Sequence, residues 1–202
     1  MKDLAYKKIF WTYVFIFTLL PSFFPERISL ELDKEKIHYV EFLSPVYTID
    51  RIYKSMEGPA QTQKITLSES DPPELLWITG YRVTVVGADG QSSVSPEFMC
   101  HNNLDFDVAH HRELFGWTKS VSPRIFTLSQ GQFSIKFPEG FGIPVMSNEP
   151  FSLTTQVLNH NLKNPNIQVR HMVTVDFSLD KDLPQPLKQL FPSSAFVMAS
   201  LD

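Results

Sequence analysis

Ile167-Gln168-Val169-Arg170-His171-Met172-Val173-Thr174-Val175-Asp176-Phe177 alternates two kinds of face. Successive side chains of an extended strand point to opposite sides. Ile167, Val169, Val173, Val175 and Phe177 therefore share one apolar face, and Gln168, Arg170, Thr174 and Asp176 share the other. This is the period of a half-buried strand. His171 falls on the apolar face and reads as a structural, core-facing histidine, whereas Met172 falls on the polar face.

The same period recurs on the N-terminal side. In Phe151 to His160 the odd positions carry Phe151, Leu153, Thr155 and Val157, and His160 lies on the more polar even face. From Leu75 to Val85 the odd positions Leu75, Trp77, Tyr81, Val83 and Val85 are mostly apolar. Ala88, Asp89 and Gly90 then make a turn, because glycine tolerates positive φ and aspartate bonds its own backbone. In Phe98 to Phe106 the residues Phe98, Cys100, Leu104 and Phe106 share a face, so Cys100 reads as a small buried hydrophobe, with His101 opposite. Ile125 to Phe137 splits at Gln130 and Gly131, a hairpin or bulge signal. Pro138, Gly140, Gly142 and Pro144 mark an irregular connection. A short strand is expected around 46–53, followed by a long loop to residue 73, and a last strand over 195–201. His38 shares a face with Val40 and Phe42. Short alternating segments broken by Pro, Gly, Asn and Asp predict an all-β antiparallel sandwich over 28–202.

The chain has 202 residues, 17 Phe, 15 Pro and a net charge of −4. The length suits one domain with a sizeable core. An acidic balance argues against a nucleic-acid partner, since neutralising phosphates needs a basic face. A single cysteine excludes an intrachain disulfide framework. Lys2, Lys7 and Lys8 precede an apolar run over 9–20 that ends at Pro21 and Ser22. That order resembles a secretory signal, and residues 1–25 are expected to be a signal peptide or an N-terminal membrane anchor. The expected location is periplasmic or extracellular.

Five of the six histidines lie between His101 and His171. The adjacent pair His110–His111, with His160 on a separate segment, supplies three imidazoles. Three nitrogen ligands with an open position suit copper or zinc, whereas a structural zinc site is normally closed by a fourth ligand. His101 and Met172 are possible additional ligands. Neighbouring residues on a regular strand face opposite ways, so the pair shares one ion only at a bulge, twist or strand end. Glu113, beside the pair, is a candidate to orient an imidazole.

Ala109-His110-His111-Arg112-Glu113-Leu114-Phe115-Gly116-Trp117, then Phe137-Pro138-Glu139-Gly140-Phe141-Gly142, then Gln156-Val157-Leu158-Asn159-His160 stand in that order. This order resembles the copper type II, ascorbate-dependent monooxygenases, the family of peptidylglycine α-hydroxylating monooxygenase and dopamine β-monooxygenase. The terminal segments Pro184 to Leu187 and Ala195 to Asp202 resemble the end of the family's first domain, and the likeness covers residues 75–202. It implies a jelly roll of about eight or nine strands and a first-domain copper site with ligands His110, His111 and His160, copper being favoured over zinc. Two extra residues separate Gln156-Val157 from His160, Trp117 stands at a family cysteine, and Cys100 thereby lacks that partner. The family's second, oxygen-binding copper domain has no counterpart here.

These readings lead to an exported, single-domain copper-binding protein for redox relay or copper handling. One alternative is a copper-dependent oxidoreductase acting with a redox partner protein or second copper domain. The other is a structural or interaction β-sandwich without metal.

Overall fold

The computed structural model describes residues 36–116 and 122–191. The apolar run over 9–20, Trp117 and the expected last strand lie outside the described residues. Two sheets stack with the core between them.

The larger sheet is built on β10 (Ile167–Leu179) and β4 (Leu75–Gly87), each 13 residues long and antiparallel to the other. Val169, His171, Val173, Val175 and Phe177 are all buried on β10, as the alternation requires. β1 (His38–Leu43) and β2 (Tyr47–Ile49) pair with successive parts of β10. β7 (Ser134–Lys136) and β8 (Phe141–Met146) pair with β4, and β11 (Lys188–Gln189) runs parallel to β8. The smaller sheet has the order β3 (Ala60–Ile65), β9 (Phe151–Val157), β5 (Met99–Phe106), β6 (Arg124–Ser129). Eleven strands and one α-helix, α1 (Val108–Phe115), are present among the described residues.

Three local readings differ from the sequence pattern. On β4 a register shift opposite Asp176 and Phe177 changes which residues face inward. Leu76 and Ile78 enter the core there beside Tyr81, Val83 and Val85. Trp77 instead donates its indole N–H to Asp180 Oδ1 at 2.7 Å. The Gln130–Gly131 turn closes a single antiparallel bridge, Ser129 with Gln132, and the pairing goes no further, because β6 pairs with β5 in one sheet and β7 with β4 in the other. The chain crosses between layers at that point. Finally, β3 lies inside what reads as a loop. Its sequence, AQTQKI, has no apolar face to announce it, and it is a largely exposed edge strand.

Polar contacts also bridge the layers. Tyr47 Oη meets Thr155 Oγ1 at 2.5 Å, and the Tyr81 hydroxyl donates to Asn102 Oδ1. Asn102 stands opposite Thr155 on the neighbouring strand, so the two tyrosines of the larger sheet reach adjacent positions on the smaller one. Tyr81 also stacks on Phe126 with ring centroids 4.8 Å apart. Such bonds fix how the sheets sit on each other, because a buried polar group without a partner costs roughly 1–3 kcal/mol.

Candidate functional site

His110 and His111 lie on a helix, not on a strand. Asp107 caps it: its Oδ1 accepts the His110 N–H at 3.2 Å and its carbonyl accepts the His111 N–H at 2.8 Å. At the other end Gly116 adopts φ 66° and donates to the Arg112 carbonyl at 2.8 Å. Both ends follow the usual preferences, an Asp N-cap and a left-handed glycine after the last turn. Asp107→Ala is expected to lower stability by about 1 kcal/mol, measured by urea denaturation; an unchanged midpoint would show that the cap contributes nothing.

On a helix, consecutive residues do not face each other. His111 is turned inward and is 1% exposed, while His110 is half-buried. The His111 ring stacks on Phe106 at 3.9 Å between centroids and tilts against Phe115 at 4.7 Å. Its Nδ1 lies 2.5 Å from Oε1 of Glu149, a carboxylate with no exposed surface. Glu149 also accepts the Met146 N–H through Oε2 at 3.2 Å. The group that orients His111 is thus Glu149, in the turn between β8 and β9. Glu113 is exposed on the helix surface.

His160 lies elsewhere. β9 runs from Phe151, paired with Phe106 beside His111, to Val157, paired with Met99, and His160 follows that second end. Six residue steps of a strand cover about 20 Å. His160 is exposed and lines a recess of about 260 Å³ with Glu97, Phe98, Asn159 and Leu162. The structure brings His110 and His111 to one end of the smaller sheet and His160 to the other. Copper held by these three imidazoles needs nitrogens about 2 Å from one point, and this arrangement does not supply them. Among the described residues no group of three or more His, Cys, Asp or Glu side chains is placed to hold a metal ion.

The remaining sequence candidates fall at two places. His171 is fully buried on β10, its ring 6.2 Å from that of Tyr47, and neither ring nitrogen has a hydrogen-bond partner in the protein. Burial, helped by the nearby His101, pushes its imidazole down to about 4. Met172 is half-buried on the opposite face of that strand, paired with Leu43 and Thr84. His101 sits on β5 opposite Gln156 and Ser129, and burial followed by the Arg124 charge holds its imidazole below the ordinary range.

Cys100 is the residue the sequence pattern places least well. The β5–β9 register shifts between Met99 and His101, which leaves Cys100 at the irregularity. The strand's contributions to the inter-sheet core are Met99, Leu104 and Phe106; Cys100 is buried but points its sulfur to Met56, with Sγ 4.0 Å from Sδ. Met56 belongs to the loop before β3 and has φ 68°. That loop is tied to the smaller sheet by the Gln156 amide, which donates to the Met56 carbonyl at 2.9 Å and the Gly58 carbonyl at 2.8 Å. No motif in the sequence announces this pairing across 44 residues.

The fold and these placements define an all-β, sandwich-like protein with two stacked sheets. No family model matches the chain, and no curated protein matches it significantly.

Proposed function

We propose that this chain is an exported structural or interaction domain, a jelly-roll-like β-sandwich whose helix histidine serves the fold and not a three-imidazole metal centre. One observation carries the reading: His111 is 1% exposed and bonded to Glu149, at the opposite end of β9 from His160. An imidazole enclosed by Phe106, Phe115 and a buried carboxylate is a packing element that ties α1 to the β8–β9 turn. The order of motifs resembling the first copper domain of the ascorbate-dependent monooxygenases supports a shared sandwich architecture. A function in oxygen chemistry would require a site that those motifs do not assemble.

The test is Cu(II) and Zn(II) loading of the purified chain, followed by removal of excess ion, elemental analysis and electron paramagnetic resonance. The expected result is no tightly held, nitrogen-coordinated ion that depends on His110, His111 and His160 together. One equivalent of such an ion, lost in each of His110→Ala, His111→Ala and His160→Ala, would return the chain to the copper relay reading.

A further inference from the structure

We infer that the outer face of the larger sheet carries a binding site for an acidic sugar, a pyranose unit of a uronate-bearing oligosaccharide, seated over Gly80 between Tyr39 and Lys136. The inference goes beyond the interaction reading, which names no ligand, and does not depend on it.

Register builds the place. Tyr39 on β1 stands opposite Asp176 on β10, Asp176 opposite Gly80 on β4, and Gly80 opposite Lys136 on β7. Asp176 and Arg82 alternate with the core residues Val175, Phe177, Tyr81 and Val83, so this row lies on the face turned away from the core. Gly80 contributes no side chain to it. A Cβ there would come 3.0 Å from Asp176 Oδ2 and 3.2 Å from the Ile135 carbonyl oxygen. The gap forms the floor of a recess of about 290 Å³, lined by Tyr39, Thr79, Arg82, Lys136 and Asp176 with Ile37 at the side. Small-molecule sites begin at about 300 Å³.

The lining suits a sugar. Tyr39 is 64% exposed and offers the flat ring on which the C–H face of a pyranose packs. Arg82 Nη2 lies 3.2 Å from Asp176 Oδ1, and Nη1 donates to Oδ2 at 3.4 Å. Donors and acceptors thus stand side by side, as neighbouring hydroxyls require, since each hydroxyl both donates and accepts. Thr79 adds a further hydroxyl. The register passes from Ile78 opposite Phe177 to Gly80 opposite Asp176, which leaves Thr79 as the extra residue of a bulge. Bulges re-aim a side chain. Thr79 is 7% exposed, and its Oγ1 has no hydrogen-bond partner among the described residues. Rotation about χ1 exchanges its methyl and hydroxyl positions, so the hydroxyl can turn to a ligand oxygen and offset the cost of its burial. Arg82 and Asp176 cancel in charge. Lys136 has no carboxylate partner among the described residues, and that surplus positive charge selects a sugar carrying a carboxylate.

The experiment titrates the ¹⁵N-labelled full chain with trigalacturonate, with galactotriose as the neutral counterpart and acetate as the bare carboxylate. Trigalacturonate is expected to shift the amides of Tyr39, Thr79, Gly80 and Lys136 to saturation, galactotriose to bind about tenfold more weakly, and acetate to leave them in place. Tyr39→Ala and Lys136→Gln, both at exposed positions, should keep the parent's spectrum elsewhere and each weaken trigalacturonate about tenfold, the loss of one anchoring side chain. Thr79→Val removes only the hydroxyl; it should weaken binding while the urea midpoint stays at or above the parent's. The inference is overturned if trigalacturonate gives no saturating shift in the folded parent, if galactotriose or acetate binds as tightly, or if any of the three variants binds as the parent does. Failure of the interaction reading shows instead as a nitrogen-coordinated ion at His110, His111 and His160, which none of these titrations contains.

Discussion

Glu149→Ala is expected to lower the stability of the domain by roughly 1–3 kcal/mol for each buried hydrogen-bonding group left without its acceptor. Two losses combine. The His111 ring keeps its burial but loses the oxygen at Nδ1, and the Met146 N–H loses its acceptor. The His111 ring cannot turn to water, because it is 1% exposed. Glu149→Gln retains an oxygen and is expected to lose much less. His111→Leu should be costly by itself, whereas His111→Leu combined with Glu149→Met should recover part of the loss, since replacing both partners of a buried hydrogen bond by apolar groups of similar shape can be nearly neutral. Urea denaturation of the parent, His111→Leu, Glu149→Met and the double variant forms the cycle. A Glu149→Ala midpoint within about 0.5 kcal/mol of the parent, the usual span for surface substitutions, would mean that the pair does not hold the helix.

Acid should weaken the fold through His171. The unfolded imidazole takes up its proton near pH 6.5, and the folded one, buried beside Tyr47, only near about 4. Between those values the unfolded chain binds more protons, so stability is highest above about pH 6.5 and falls as pH drops toward 4. The gap corresponds to about 3 kcal/mol, reached below both values. His101, also held below its ordinary range by burial, acts in the same direction. His171→Leu removes the larger share of this dependence and also removes two ring nitrogens that have no protein partner. Denaturation curves at pH 7 and pH 4 check it: the parent should lose clearly more stability than His171→Leu. Parallel losses in the two proteins would show that His171 is not the responsible group.

The period-two pattern made the inward face of β10 legible, including His171, because that face is apolar at every other position and the opposite face is not. β9 was legible for the same reason. The parity change on β4 was not, since a bulge depends on what the partner strand does opposite Asp176 and Phe177. β3 escaped notice because its stability comes from pairing with β9 and not from an apolar face of its own. The helix at Val108–Phe115 is short, yet Asp107 and Gly116 stand at its ends in the sequence, and those two residues were the signal available. Glu149 is 38 residues from His111 and Met56 is 44 from Cys100. Such pairings are set by which loops the sheet brings together, and no local spacing encodes them.

The most direct measurement is ¹⁵N nuclear magnetic resonance of the imidazole side chains, with and without one equivalent of Zn(II). The account predicts a slowly exchanging His111 ring proton shared with Glu149, and His111 nitrogen shifts that the metal leaves unchanged while His160 behaves as a solvent-exposed ring. Zn(II)-induced shifts of His110, His111 and His160 together, at one equivalent, would contradict it.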